Sequence, residues 1–159
     1  MPFKKTAILA LLISGPTFAG SISFNTSGGV FLIENSNGNN EQIYKLGNET
    51  LGRSYFLDVK AEKISTGNES VIIAITAATG GSGCAEVVSI VTIQNKKAIF
   101  SPNLNACGGV KEIYETDGVV TVSALERDES TSVTYKVKGN WFSENGNPLA
   151  NEFPFLEKN

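Results

Sequence analysis

Short runs of β-branched and aromatic residues, separated by turns rich in glycine, asparagine and aspartate, recur along this chain and leave little room for a helix. Residues 55–62 alternate: Tyr55, Leu57, Val59 and Ala61 fall on one side, and Asp58, Lys60 and Glu62 on the other. That period of two is the mark of a half-buried strand, and it is cleaner than any 3.6-residue stripe over 55–64. Val71 to Ile75 is a continuous apolar run, as is most of 86–93, and such runs suit strands covered on both faces. Residues 94–97 form an expected hairpin tip before a return strand at 98–100. Asp117-Gly118 lies between the runs 110–114 and 119–125, where glycine supplies the positive φ a tight hairpin turn needs. Val133, Tyr135 and Val137 alternate again, and further strands are expected at 29–33 and 42–46.

Eight or nine strands with mostly short links predict an all-β fold, an antiparallel β-sandwich or small barrel built as a meander. Residues 35–40, 80–83 and 145–147 read as loops. The tail after Phe142 contains Pro148 and Pro154 and is expected to wrap the body irregularly. Trp141, Phe142, Phe153 and Phe155 are expected to plug the core.

The first 19 residues read differently. Lys4-Lys5 precede the apolar stretch 6–13, Ser14-Gly15-Pro16 break it, and Thr17-Phe18-Ala19 present small residues at −3 and −1 of a cut before Gly20. This is the layout of a secretory signal peptide, too short to span a bilayer as a helix. The expectation is therefore an exported chain, periplasmic or secreted, with one domain over 20–159. No run approaches ~20 apolar residues, so no transmembrane segment is expected. Loss of Lys4 and Lys5 leaves eleven basic residues against sixteen acidic ones, a net charge near −5. Only Arg53 and Arg127 are arginines, and no basic patch exists for nucleic acid.

Cys84 and Cys107 are the only cysteines. In an exported chain they most simply form one disulfide, since redox pairs usually sit closer together. Cys84 precedes the strand at 86–93 and Cys107 follows its return strand, so both are expected at the open end of that hairpin. There is no histidine, which removes the commonest general base and metal ligand. No metal site and no cofactor are expected. Gly80-Gly81-Ser82-Gly83 lacks the lysine and hydroxyl of a phosphate-binding loop and reads as a tight turn beside Cys84. The acidic residues at 112–115 and 126–129 crowd turns and read as solvated charge.

Residues 80–91, then Phe100-Ser101-Pro102 and Ala106-Cys107-Gly108, resemble a pattern in small secreted bacterial β-proteins of unassigned activity, where glycine-flanked cysteines bracket a hairpin. Chaperone-assembled pilins differ, because they carry a tyrosine near the C-terminus that this chain lacks. Ser27-Gly28-Gly29-Val30-Phe31 is similar to the Ser-Gly-x-x-Tyr loop of periplasmic lysozyme inhibitors of the C type, with Phe31 where tyrosine would stand. Composition and resemblance together lead to the expectation of a non-enzymatic binding or inhibitory module, monomeric, acting on another exported protein such as a cell-wall hydrolase or toxin. Its candidate contact residues are Ser27, Gly28 and Phe31 in one loop and Gly80, Gly81, Ser82 and Gly83 in the other. The alternative is a structural or adhesive subunit of the cell surface.

Overall fold

The computed structural model describes residues 20–36, 40–67 and 70–157. The expected signal peptide lies outside them. The described residues contain no helix, and their fourteen strands form three antiparallel sheets that do not close into a barrel.

The first sheet is a meander of β1 (Ser21–Thr26), β2 (Gly29–Asn35), β3 (Gln42–Leu46) and β4 (Glu49–Ser54). The second runs β5 (Asp58–Thr66), β6 (Ser70–Ala78), β7 (Glu86–Gln94), β8 (Lys97–Phe100), with β9 (Leu104–Asn105) continuing along β7 beyond β8. The third contains β10 (Val110–Thr116), β11 (Val119–Leu125), β12 (Ser132–Lys138), β13 (Trp141–Glu144) and β14 (Asn147–Pro148). Tight turns make the meanders. Asn95-Lys96, Asp117-Gly118 and Asn145-Gly146 all have positive φ at both residues, the twist that joins adjacent antiparallel strands without splaying them.

The second sheet is the middle layer. Val71, Ile73, Ile75, Ala77, Val87, Val91 and Ile93 pack with Phe31, Ile33, Tyr44 and Leu46 of the first sheet. The intervening Ile72, Ala74, Val88 and Ile90 pack with Val120, Val122, Ala124, Val133, Tyr135 and Val137 of the third. Because successive side chains of a strand point to opposite faces, an unbroken apolar run is what two cores require of β6 and β7. The expectation that 71–75 is covered on both faces is met.

Several expectations need correction. Tyr55 and Leu57 are not inward strand residues; they are 53% and 60% exposed, and β5 begins at Asp58. The buried Gln42 side chain holds the linking backbone instead. It donates to the Phe56 carbonyl and accepts from the Phe56 amide, each at 3.0 Å. Strands β1 and β4 and the hairpin β13–β14 went unforeseen. In β4 the obstacle is Gly52, which reads as a breaker. Its bare Cα is needed there, since a Cβ would stand 2.7 Å from the Glu157 carbonyl.

The C-terminal segment does wrap the body. Phe153 accepts from the Asn103 amide, and Glu157 pairs with Arg53 at the edge of β4. Of the four expected plugs, Phe142 and Phe155 are buried, whereas Trp141 and Phe153 are 49% and 72% exposed. Trp141 neighbours Phe142 on β13 and so faces the other way.

Candidate functional site

The two ends of the sandwich differ. The two-residue turns Ser27-Gly28, Gly47-Asn48, Asn95-Lys96, Asp117-Gly118 and Gly139-Asn140 lie at one end. The first and third of these touch: a Cβ on Gly28 would stand 3.0 Å from the Lys96 Cα. The β5–β6 link joins these turns at their end, and the opposite end carries the longer connections, at 55–57, 79–85, 106–109 and 126–131, together with the β2–β3 link and the two-residue turn Asn145-Gly146.

Each described loop at that end is held in shape locally. The Thr79 hydroxyl donates to the Cys84 carbonyl and accepts from the Gly81 amide at 3.1 Å, while the Thr79 amide donates to Ala85. Gly80 has φ +73, a conformation that side chains disfavour. Cys84 and Cys107 are disulfide-bonded with Cα atoms 4.2 Å apart, just past the point where β9 ends its pairing with β7. The expected bridge at the open end of the hairpin is present. Beside it, Gly108 donates to the Leu125 carbonyl at 2.9 Å and lies so close to β11 that a Cβ would collide with the Glu126 carbonyl. Asp128 accepts from the Ser130 and Thr131 amides and from the Thr131 hydroxyl, which holds its carboxyl well below the usual carboxylate range. Its acidity serves the turn.

The structure does not bring the two candidate loops together. Ser27 and Gly28 form the turn at the short end, while Gly80, Gly81, Ser82 and Gly83 sit at the long end. Phe31 is fully buried in β2, among Phe100 and the rest of the first core, and is unavailable to a partner. That corrects its place among the contact residues. A Cβ on Gly80 would meet the Leu57 side chain at 2.5 Å, so the exposed Leu57 packs on the glycine loop, while the hydroxyl of the exposed Tyr55 lies 3.5 Å from Glu41. Sequence reading missed both placements, because alternation had assigned those two side chains to the core.

No family model, curated protein or solved structure matches this chain.

The long end also gathers charge. Asp58, Glu86, Glu126, Asp128, Glu129 and Glu144 lie there, outnumbering the cations Arg53, Lys60, Lys111 and Arg127. Arg53 is paired with Glu41 at 2.6 Å, which raises the Arg53 pKa. A groove of about 320 Å³ runs between the β2–β3 link and Leu57, Asp58 and Val59, and it includes Glu41. Buried hydroxyls serve the body: Ser89 bonds Ser101, and Ser54 bonds Gln42 and Tyr44. Among the described residues no three acidic or cysteine side chains converge as a metal site would need, and no helix is long and apolar enough to cross a membrane.

Proposed function

We propose that this chain is an exported, non-enzymatic binding or inhibitory module that engages another exported protein through its loop-bearing end. The observation carrying this reading is the asymmetry of the ends: most connections at one are two-residue turns, and the other presents longer, internally braced loops beside the exposed Leu57. Binding residues concentrate on loops held by a rigid scaffold, because such loops can vary without disturbing the core. The surplus of carboxylates there suits a cationic partner, such as a cell-wall hydrolase, and steers its approach. Export is supported by the signal-like residues 1–19 and by the disulfide, which oxidising compartments favour.

Capture from exported extract on the immobilised, disulfide-intact protein tests the reading, with charge reversal at either end as the discriminator. Asp128→Lys with Glu129→Lys should slow association at low salt, while Lys96→Glu should leave it unchanged. Rising salt should slow the unmodified protein as well, because screening weakens steering. Capture that responds only to Lys96→Glu would overturn the assignment of the end. Lysozyme fully active in excess protein at low salt would remove the lysozyme version. Mass spectrometry of exported material should find a chain beginning at Gly20, and an intact Met1 would remove the export argument.

A further inference from the structure

Five of the six sheet edges carry a device that keeps another strand away. At β4, the Glu157 backbone pairs with Arg53 in both directions, at 3.0 and 2.8 Å. Strand β5 carries Asp58, Lys60, Glu62 and Lys63 and breaks register between Lys63 and Ser65. Strand β8 has four residues and ends just before Pro102. Strand β10 is broken between Val110 and Glu112 and charged at Lys111, Glu112 and Glu115. Strand β14 is two residues, one of them Pro148. These are the usual protections against edge-to-edge pairing.

Strand β1 has none of them. Ser21–Thr26 is uncharged, lacks proline, and pairs with β2 in unbroken register over six residues. Among the described residues no other backbone group bonds its outer edge, although β5 approaches it at one corner. The two-residue turn at Ser27-Gly28 makes Thr26 and Gly29 a hydrogen-bonded pair, and bonded pairs alternate from there. Thr26, Phe24 and Ile22 therefore bond β2, while the N–H and C=O groups of Ser21, Ser23 and Asn25 face outward. The Val30 carbonyl, opposite Asn25, accepts from Gly47 on the far side of β2, which agrees with this parity.

We propose that β1 pairs antiparallel with β1 of a second copy about a two-fold axis at Ser23, joining two four-stranded sheets into one of eight. The strand is complementary to itself in that register. Ser21 faces Asn25, Ser23 faces Ser23, and the three outward pairs supply about six backbone hydrogen bonds. On the inner face Ile22 meets Phe24 of the other copy, an aromatic opposite a β-branched residue. Both are only partly buried at the rim of the first core, and pairing covers them. A second copy is the occupant because two chains of like net charge can meet along this uncharged strand without opposing charges. The binding-module reading carried the expectation of a monomer; this edge argues for a pair.

Sedimentation equilibrium of the exported, disulfide-intact protein should show a concentration-dependent dimer. Ser23→Pro removes an outward donor without touching the β1–β2 bonds, and Ser23→Lys sets two ammonium groups opposite each other on the axis. Each should weaken the dimer by at least about tenfold with unchanged near-UV circular dichroism. Thr116→Lys, on the guarded β10, should leave it intact. If Ser23→Pro fails to fold, Ser23→Lys decides. A monomer at every concentration, or a dimer indifferent to both Ser23 variants, would overturn the proposal.

Discussion

Phe155, two residues before the last described residue, stacks on Phe56 from the link before β5, with ring centroids 5.1 Å apart and planes inclined at 28°. Tyr44 meets the same ring edge-on at 5.8 Å, and Phe100 stacks on it at 6.2 Å. The C-terminal segment thus fills the first core rather than lying over it. Phe155→Ala should lower stability by about 3 kcal/mol, the scale of emptying a buried aromatic site. Phe153→Ala should stay within about 0.5 kcal/mol, because that ring is solvated. Urea denaturation of both variants checks the contrast, and equal losses would refute it.

The disulfide ties the ends of β7 and β9 where no tight turn can. Cys84→Ser with Cys107→Ser should cost about 2–5 kcal/mol, the usual loss when a small domain is deprived of its native disulfide. Thiol titration of denatured, non-reduced protein should find no free thiol. Two reactive thiols on exported material would refute the bridge.

Gly108 and Gly83 flank the same disulfide but differ in their surroundings. A methyl at Gly108 meets the Glu126 carbonyl, while one at Gly83 meets nothing within 4 Å. Gly108→Ala should lower stability by about 2 kcal/mol or more, since backbone has to move. Gly83→Ala should change it by no more than about 0.5–1 kcal/mol. Thermal melts of the two variants side by side give the answer, and a Gly108→Ala protein as stable as the parent would contradict this packing.

Burial pushes the Tyr44 phenol up to about 12 from 10.0, opposed by its hydrogen bond to Ser54. Tyr135 moves the same way, because burial and the charges of Glu144 and Glu126 disfavour its phenolate. Folding holds the neutral phenol, so this contribution is complete below the unfolded-state value near pH 10 and is lost as pH rises from 10 through 12. Stability from urea curves should fall across that window, and Tyr44→Phe should make the fall shallower by up to about 2–3 kcal/mol. An unchanged slope in Tyr44→Phe would show that Tyr44 does not titrate with unfolding.

The all-β class, the disulfide and the turns at Asn95-Lys96 and Asp117-Gly118 were legible in the sequence because each rests on residue types and on spacing within one hairpin. Asp117-Gly118 takes its turn by backbone preference, and the runs in β6 and β7 announced two covered faces. What covers those faces was not legible. Three layers rather than two, and the separation of the Ser27-Gly28 turn from the Gly80–Gly83 loop, follow from how sheets stack, which no local pattern encodes. The same holds for Tyr55 and Leu57, whose alternation pointed inward until a distant glutamine, Gln42, captured the intervening backbone. Phe155 became core and Phe153 did not because tertiary pairing at Pro102 and Arg53 set the path of the tail. Local chemistry determined which segments are strands and where they turn. Only the packing of those strands decided which apolar side chains are buried, which loops share an end, and which sheet edge was left without a guard.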